Sequence, residues 1–484
     1  MTDPKDSTPA QIDAAARAAA QAAPAFAATS GAQRAALLRA LAAALEGARE
    51  QLVPLADEET GLGAARLNGE MDRTAFQLRG FADEAERGQP FARTDDPSVP
   101  GAPPAGRPHL TRVRVPLGPV AMFSASNFPF AFSVLGGDTA SALAAGCPVL
   151  VKAHPGHPRL SRAVLQLAQA AVAAQGLPAG VLGMVEGAGV DVGVQLVQHP
   201  AIAAVAFTGS TRGGLALAQL AQARPRPIPF FGELGAVNPV VATPQALAAQ
   251  GEALAQSLAA SIALGCGQFC TSPGVIVVQR DAASQAFVDA LAQALAAQVP
   301  HRMLTPGIRM GFEQGVAAWA RHAKLRVLLG RRKGEADAVD VPPKPFLAEV
   351  QGEDFIADAA LHEEVFGPAA LVVRVQDTAQ AAEVLQALGG SLTVTLWGFG
   401  GDAPPAEDAQ ALVRTATQIA GRVLFAGVPT GVAVTHAQQH GGPYPSSTAP
   451  ATTSVGYAAM DRFLRPVALQ DAPAWLQARG GVPV

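Results

Sequence analysis

The sequence is poor in cysteine, with only Cys147, Cys266 and Cys270 in 484 residues. A scaffold held together by disulfides needs more cysteines, in an even number, so this count excludes that class of protein. Few cysteines suit a reducing compartment, and we expect a cytoplasmic protein. Neither a second cysteine pair nor a histidine pair follows Cys266 and Cys270 at the spacing of a zinc site, so the sequence predicts no metal site.

Charge and long apolar runs are also scarce. Charged residues make up 15% of the chain, the formal net charge is -4, and no dense basic run is present, which excludes a nucleic-acid partner. No apolar run reaches the roughly 18 residues of a transmembrane helix. The start of the chain lacks the basic and apolar regions of a signal peptide, so we expect no membrane partner. With 49% hydrophobic residues, the chain can fill about two or three domains.

From Pro119 onwards the sequence contains a regular alternation of short apolar runs and helical segments. Such an alternation predicts βαβ units whose parallel strands are covered on both faces. The predicted strands are residues 120–124, 149–153, 181–185, 203–207 and 228–231, and the helices between them are residues 130–145, 159–175, 191–198 and 213–223. This order predicts a doubly wound sheet, the architecture that binds nucleotides at the carboxyl ends of its strands.

The regions on either side predict further helices and a second α/β domain. Apolar residues at helical spacing predict helices over residues 35–52 and 70–88, after an alanine-rich surface helix. Proline and glycine between residues 94 and 108 indicate a linker or an exposed arm. Beyond Glu233 the predicted strands are residues 275–279, 346–350, 370–375, 393–397 and 422–425, with helices at 248–264 and 283–297. Residues 109–115 and 465–469 are predicted as two more strands.

The glycine fingerprint of common dinucleotide-binding loops, Gly-x-Gly-x-x-Gly, is missing from the predicted strand–helix turns. After the fourth predicted strand stands Thr208-Gly209-Ser210-Thr211 instead. A Gly-Ser turn at the start of a helix can offer backbone N–H groups to a phosphate. The alternative is a helix capped by Ser210 or Thr211 with no ligand.

Three residues outside that turn have side chains suited to catalysis. Cys270 lies in a predicted loop among small and polar residues, where a cysteine can be exposed and nucleophilic; the alternative is a buried structural cysteine, which we expect for Cys266. Glu233 follows the fifth strand between two glycines and could be a general base with a raised pKa. The Asn127 amide could donate to a developing oxyanion, or could cap a helix or a turn.

These residues lie in motifs that together resemble the aldehyde dehydrogenase superfamily, over about residues 57–470. The motifs are Ser126-Asn127-Phe128-Pro129, Val151-Lys152, Phe207-Thr208-Gly209-Ser210, Gly232-Glu233-Leu234-Gly235, Gly267-Gln268-Phe269-Cys270 and Glu363-Glu364-Val365-Phe366-Gly367-Pro368. The resemblance implies an α/β fold with a Rossmann-type doubly wound cofactor domain, an α/β catalytic domain and a small oligomerisation arm. It places the cofactor domain at residues 1–98, 117–232 and 437–461, the catalytic domain at 233–436, and the arm at 99–116 and 462–484. It also implies a homodimer or homotetramer.

The resemblance further implies roles for individual residues. Cys270 is the nucleophile, Asn127 and the Cys270 backbone N–H stabilise the oxyanion, and Glu233 activates the water that hydrolyses the thioester. The residues implied to bind the cofactor are Lys152 at the adenosine ribose, Gly209 and Ser210 at the pyrophosphate and nicotinamide, Glu364 at the nicotinamide ribose, Phe366 near that ring, and Ser124 and Pro155.

Finer matches resemble the dehydrogenases of 2-oxoglutarate semialdehyde (2,5-dioxopentanoate). They include Asp57-Glu58-Glu59-Thr60-Gly61-Leu62, Met303-Leu304-Thr305-Pro306-Gly307-Ile308 and His440-Gly441-Gly442-Pro443-Tyr444-Pro445. Many NAD-preferring members carry a glutamate three residues after the lysine, where this chain has Pro155. We therefore expect NADP as cofactor, with NAD also accepted. Ser133, Thr430 and Thr435 are candidates for holding the substrate carboxylate.

Three alternatives stay open at this point. A fatty aldehyde dehydrogenase would use the same chemistry with a wide apolar tunnel. A coenzyme-A-acylating enzyme would pass the same thioester to a thiol, but relatives of that kind usually lack the base at the position of Glu233. A non-catalytic member of the superfamily would have no need of Cys270, Glu233, Asn127 and Lys152 together.

Overall fold

The computed structural model describes residues 6–330, 341–400 and 406–477. The helices are α1 Pro9–Ala27, α2 Gly31–Gly47, α3 Arg49–Thr60, α4 Ala64–Arg87, α5 Gly137–Ala145, α6 Pro158–Ala174, α7 Val190–Gln198, α8 Thr211–Gln222, α9 Pro244–Ala263, α10 Ala282–Ala296, α11 Pro306–Arg321, α12 Gly352–Ala357, α13 Thr378–Leu388, α14 Glu407–Ile419 and α15 Ala474–Gln477. The strands are β1 Thr94–Asp96, β2 Leu110–Pro116, β3 Val120–Phe123, β4 Val149–Lys152, β5 Leu182–Val185, β6 Ala204–Thr208, β7 Phe230–Glu233, β8 Val240–Ala242, β9 Val275–Gln279, β10 Arg326–Leu329, β11 Phe346–Gln351, β12 Ala369–Val375, β13 Ser391–Trp397, β14 Ala420–Leu424 and β15 Leu464–Gln470.

The predicted doubly wound sheet is present and has five parallel strands in the order β5-β4-β3-β6-β7. The chain leaves β3 toward β4 on one side and returns to β6 on the other. The carboxyl end of β3 is therefore the point where the winding direction reverses, which is where such sheets bind ligands. The strands are buried on both faces, as the continuous apolar runs predict.

A second sheet forms from the later strands in the order β10-β11-β12-β9-β8-β13-β14, parallel except for the antiparallel pair β10 and β11. The five strands predicted between residues 275 and 425 all occur in it. Strands β8 and β10 were not predicted, because runs of three and four residues carry little periodic signal. A third sheet, β1-β2-β15, is antiparallel, so the segment predicted as a linker or an arm contains a short edge strand.

Two predicted helices have different bounds. The helix predicted over residues 35–52 is two helices, because the chain leaves helical geometry at Ala48 (φ -100°, ψ 10°). The helix predicted over residues 130–145 begins only at Gly137. The N–H groups of Phe130 and Ala131 donate to the Glu70 carboxylate at 2.8 and 2.9 Å, which holds this segment as a loop beside the end of β3. Among the described residues, no helix is long and apolar enough to cross a membrane.

Candidate active site

The carboxyl ends of the five parallel strands place several of the predicted residues along one edge. Ser124 follows β3 and its N–H donates to the Lys152 carbonyl at the end of β4 (3.1 Å). Thr208 at the end of β6 pairs in register with Glu233 at the end of β7. Strand register thus brings Ser124, Lys152, Gly209 and Glu233 to the same end of the sheet, where the carboxyl ends of the strands lie.

Cys270 reaches this edge from the second sheet's side, on the loop between α9 and β9. The amide nitrogen of Asn238, a fully buried residue, donates to the carbonyls of Cys270 (2.8 Å) and Ser272 (3.1 Å). At Gly267 (φ +66°) a Cβ would lie 2.1 Å from the Gly367 backbone, so only glycine allows these two loops to approach. The Cys270 side chain is consequently held half-buried, whereas Cys266 is buried, as predicted.

The structure brings Cys270 and Glu233 together, and it adds His440 between them. The His440 Nε2 atom lies 3.5 Å from Cys270 Sγ and 3.0 Å from Glu233 Oε1. The Ser454 hydroxyl donates to the other Glu233 oxygen, and both Glu233 and His440 are buried. His440 was noticed in the sequence only within a substrate-related motif, and a single histidine before two glycines gave no other signal of a catalytic position.

The tautomer of His440 follows from this geometry. Because Nε2 lies at hydrogen-bond distance from a carboxylate oxygen, it must carry the hydrogen while Glu233 is ionised. Nε2–H then faces both the carboxylate and the sulfur. The opposite nitrogen, Nδ1, is buried without a partner among the described residues. His440 can therefore stabilise negative charge on Glu233 or on Cys270.

The ionisation of the cluster differs from the sequence prediction. Burial alone would raise the pKa of Glu233, but charge interaction and hydrogen bonds with His440, and hydrogen bonds from Ser454 and Cys270, lower it below its ordinary value. The predicted raised pKa of Glu233 is therefore wrong. Burial and the Glu233 charge hold the pKa of the Cys270 thiol well above its ordinary value. The resting site thus pairs a thiol with a carboxylate that can accept its proton.

Asn127 lies on the loop after β3 and is buried. Its amide nitrogen donates to the Gln268 carbonyl at 3.0 Å, across to the Cys270 loop, so its side chain does not cap its own turn. Its backbone carbonyl accepts from the Arg66 guanidinium at 2.6 Å. An amide nitrogen carries two hydrogens, so this bond leaves one that could bind a ligand oxygen.

Several residues predicted to bind the cofactor lie at or directly after the carboxyl ends of strands of the first sheet, among them Ser124, Lys152, Gly209 and Ser210. Ser210 caps α8 by accepting from the Gly213 N–H (3.3 Å), yet both Gly209 and Ser210 are exposed, so the cap and a binding role are compatible. A Cβ on Gly235 would lie 2.4 Å from a Glu364 carboxylate oxygen, which places that exposed carboxylate beside this glycine. The buried Thr208 hydroxyl has no hydrogen-bond partner among the described residues.

Three other residues predicted to bind the cofactor are only partly exposed: Lys152, Pro155 and Phe366. The Lys152 ammonium group donates to the Gly187 carbonyl at 2.6 Å. Pro155 lies half-buried in the turn after β4, and Phe366 lines a pocket with Gly267 and Glu364. The unsatisfied Thr208 hydroxyl, the exposed Gly209-Ser210 turn and the Glu364 carboxylate together fit a dinucleotide with polar groups along its length.

Comparison with known proteins gives a consistent result. A sequence profile described as "Aldehyde dehydrogenase family" matches residues 1–442. Alpha-ketoglutaric semialdehyde dehydrogenase 2 of Azospirillum brasilense is 47% identical over 449 residues, which cover 91% of this chain and 84% of the relative. Alpha-ketoglutaric semialdehyde dehydrogenase of Acinetobacter baylyi is 42% identical over 462 residues, which cover 95% of this chain and 86% of that relative. The crystal structure of lactaldehyde dehydrogenase from Escherichia coli shares the fold, with a TM-score of 0.80 at 22% identity, covering 96% of this chain and 91% of that one.

Proposed function

The chain belongs to the aldehyde dehydrogenase family, and from this premise we propose that it oxidises 2,5-dioxopentanoate (2-oxoglutarate semialdehyde) to 2-oxoglutarate with a nicotinamide cofactor. The observation that carries the reaction is the cluster of Cys270, His440 and Glu233, with Nε2 at 3.5 Å from the sulfur and 3.0 Å from the carboxylate. The substrate rests on the two relatives named for that semialdehyde, at 47% and 42% identity. This similarity favours the semialdehyde over a fatty aldehyde.

The chemistry follows from what each side chain can do. Glu233 accepts the Cys270 proton while the sulfur attacks the aldehyde carbon, and the charge that develops on the substrate oxygen faces the Asn127 amide and the Cys270 backbone N–H. Such donors are typically worth roughly 3–4 kcal/mol each. A bound nicotinamide cofactor supplies the hydride acceptor. Loss of hydride leaves a thioester on Cys270. Glu233 passes the proton taken from Cys270 to solvent, and its carboxylate then deprotonates the water that hydrolyses the thioester.

The remaining assignments extend this proposal. The residues that hold the cofactor are Lys152, Gly209, Ser210, Glu364, Phe366, Ser124 and Pro155. The cofactor domain comprises residues 1–98, 117–232 and 437–461, and the catalytic domain comprises residues 233–436. An oligomerisation arm comprises residues 99–116 and 462–484, and residues 478–484 of this arm lie outside the described residues. The fully exposed edge strand β1 supports a homodimer or homotetramer, since an exposed edge can pair with another chain. Three unpaired cysteines suit the cytoplasm.

Initial rates with 2,5-dioxopentanoate and with decanal, each with NADP and with NAD, test the proposed function. We expect kcat/KM at least about tenfold higher for the dioxo acid, a transition-state difference of roughly 1.4 kcal/mol. A preference for decanal would contradict the semialdehyde assignment and leave the Cys270 chemistry standing.

Rates in the presence of a chelator should match those without it, since the sequence predicts no metal site. A loss of activity would mean that a metal binds Glu233, Cys270 and His440, whose ligand atoms lie within 4.8 Å of one another.

We propose NADP as the preferred cofactor because Pro155 leaves no carboxylate after Lys152, but the structure brings another carboxylate to this place. Asp6 accepts from the N–H groups of Ala188 (2.8 Å) and Gly189 (3.2 Å) at the start of α7. Lys152 donates to the carbonyl of Gly187, in the same turn. Asp6 thus binds two N–H groups at a helix start that could otherwise bind an anion. It does so beside Lys152, which we propose pairs with the 2′-phosphate of NADP.

Replacing Asp6 by asparagine should therefore improve the use of NADP. The amide oxygen can still accept from the Ala188 N–H, but the negative charge that repels a 2′-phosphate is removed. We expect kcat/KM for NADP to rise roughly three- to tenfold and that for NAD to stay within about twofold. Asp13→Asn, which removes an exposed carboxylate paired with Arg17, is the matched control. Equal changes with both cofactors would mean that Asp6 acts only on the fold.

A further inference from the structure

One face of α4 lines the space next to the reactive sulfur. Arg66, Glu70 and Arg73 follow one another at helical spacing, so they share a face of the helix. Arg66 donates to the Asn127 carbonyl, and Glu70 accepts from the loop at Phe130, so both bind neighbouring backbone. Each of these two residues also leaves one buried atom unpaired among the described residues, Arg66 Nη1 and Glu70 Oε2, whereas Arg73 leaves two donors unpaired, Nε and Nη2.

The surroundings of Arg73 hold its guanidinium group in place without pairing it. Its guanidinium carbon lies 5.8 Å from the centre of the Phe128 ring and 5.5 Å from that of Phe132. The same two rings, with Phe269, line a pocket that contains both Arg73 and Cys270. Contacts with aromatic faces stabilise a cation but leave its N–H donors unused.

A buried guanidinium with unused donors is an unfavourable arrangement unless a ligand completes it. Burial lowers the pKa of Arg73, which shows that its charge is poorly solvated. A carboxylate is the best complement, because its two oxygens match the planar donors of the guanidinium group. The phenylalanine rings that line the pocket together with Arg73 and Cys270 suit a short carbon chain.

We propose that Arg73 binds the far carboxylate of the substrate while the aldehyde carbon lies at Cys270, so that this arginine selects short aldehydes that end in a carboxylate. The inference rests on the proposed function and adds the residue that determines its specificity. The candidates from the sequence are engaged elsewhere. Ser133 is 3.5 Å from the Ser124 hydroxyl, Thr430 is 3.0 Å from the Ser261 hydroxyl, and Thr435 is exposed; none of the three lines this pocket.

A competing role for Arg73 is to stabilise the Cys270 thiolate by charge alone, since the two groups interact electrostatically. The two roles differ in which substrates they affect. A carboxylate anchor acts only on substrates that carry a carboxylate. A thiolate-stabilising charge acts on every aldehyde, because each needs the same nucleophile.

The test compares Arg73→Met with the unmodified enzyme on 2,5-dioxopentanoate and on pentanal, a neutral aldehyde with the same number of carbons. We expect kcat/KM for the dioxo acid to fall at least about hundredfold, mainly through KM, and that for pentanal to stay within about threefold. The product 2-oxoglutarate, used as an inhibitor of pentanal oxidation, should bind about hundredfold more weakly to the variant. Activity on pentanal also shows that the variant is folded.

Two further variants complete the experiment. Arg73→Lys keeps the charge without the planar donors and should fall between the other two enzymes in its preference for the dioxo acid. Arg79→Met removes an exposed arginine of the same helix, paired with Glu46, and should behave like the unmodified enzyme. Equal losses on both substrates in Arg73→Met would overturn the anchoring role. If the unmodified enzyme itself prefers pentanal, the proposed function fails instead, which is a separate outcome.

Discussion

Replacing Cys270 by alanine should abolish aldehyde oxidation and leave cofactor binding intact. The sulfur is the only group of the cluster that can form the covalent adduct, since Glu233 and His440 are bound to each other and serve as acceptor and donor. We expect the rate to fall by more than about 10⁴-fold, as for the nucleophiles of other acyl-transfer enzymes. The dissociation constant of NADP, measured by titration without aldehyde, should change by less than about threefold, because Cys270 is not among the residues proposed to hold the cofactor.

Cys147→Ala is the matched control for this variant. Cys147 is buried in the core of the first sheet, where its thiol lies 3.4 Å from the Phe463 carbonyl, away from the site. It should keep nearly full activity. If Cys270→Ala still oxidised aldehydes at a measurable rate, the mechanism would not pass through a thioester on this residue.

The sequence predicts the part of the site that regular structure positions. Glu233, Lys152 and Gly209 each stand at the end of a short buried strand, and parallel strands bring their ends to one edge whatever the loops do. Cys270 and Asn127 were assigned by their motifs, and the loops that carry them are then fixed by single side chains. Asn238 holds the Cys270 loop, and Glu70 holds the loop that follows Asn127.

What the sequence does not predict depends on contacts between segments that are far apart. His440 lies in a stretch without regular structure, and it meets Glu233 only because that stretch packs along β7, where Leu234 N–H donates to the Ser446 carbonyl. Without the contacts with His440, Ser454 and Cys270, burial alone would set the pKa of Glu233, which explains why the predicted direction was wrong. Arg73 looks like an ordinary residue of an amphipathic helix until the aromatic pocket on the other side is known.

Replacing Glu233 by glutamine should separate the two halves of the reaction. The amide can still accept from His440 Nε2–H, so the geometry is retained, but it cannot take a proton from Cys270 or from water. The variant also lacks the charge that raises the pKa of the Cys270 thiol, so this thiol can lose its proton to solvent and still react. Hydrolysis of the thioester should then limit turnover, with kcat lowered roughly 10²–10⁴-fold. Rapid mixing should show about one equivalent of reduced cofactor per site before the slow phase, and mass spectrometry should find an acyl group on Cys270.

The comparison with His440→Gln shows which step each residue serves. His440 faces the sulfur as well as the carboxylate, so its loss should slow the first turnover itself and let little acyl enzyme accumulate. Added coenzyme A should not restore turnover in Glu233→Gln if water is the natural acceptor. A kcat within about tenfold of the unmodified enzyme, or no trapped acyl group, would show that Glu233 is not the base for hydrolysis. The same result would return the coenzyme-A-acylating reaction to consideration, because that reaction needs the nucleophile but no activated water.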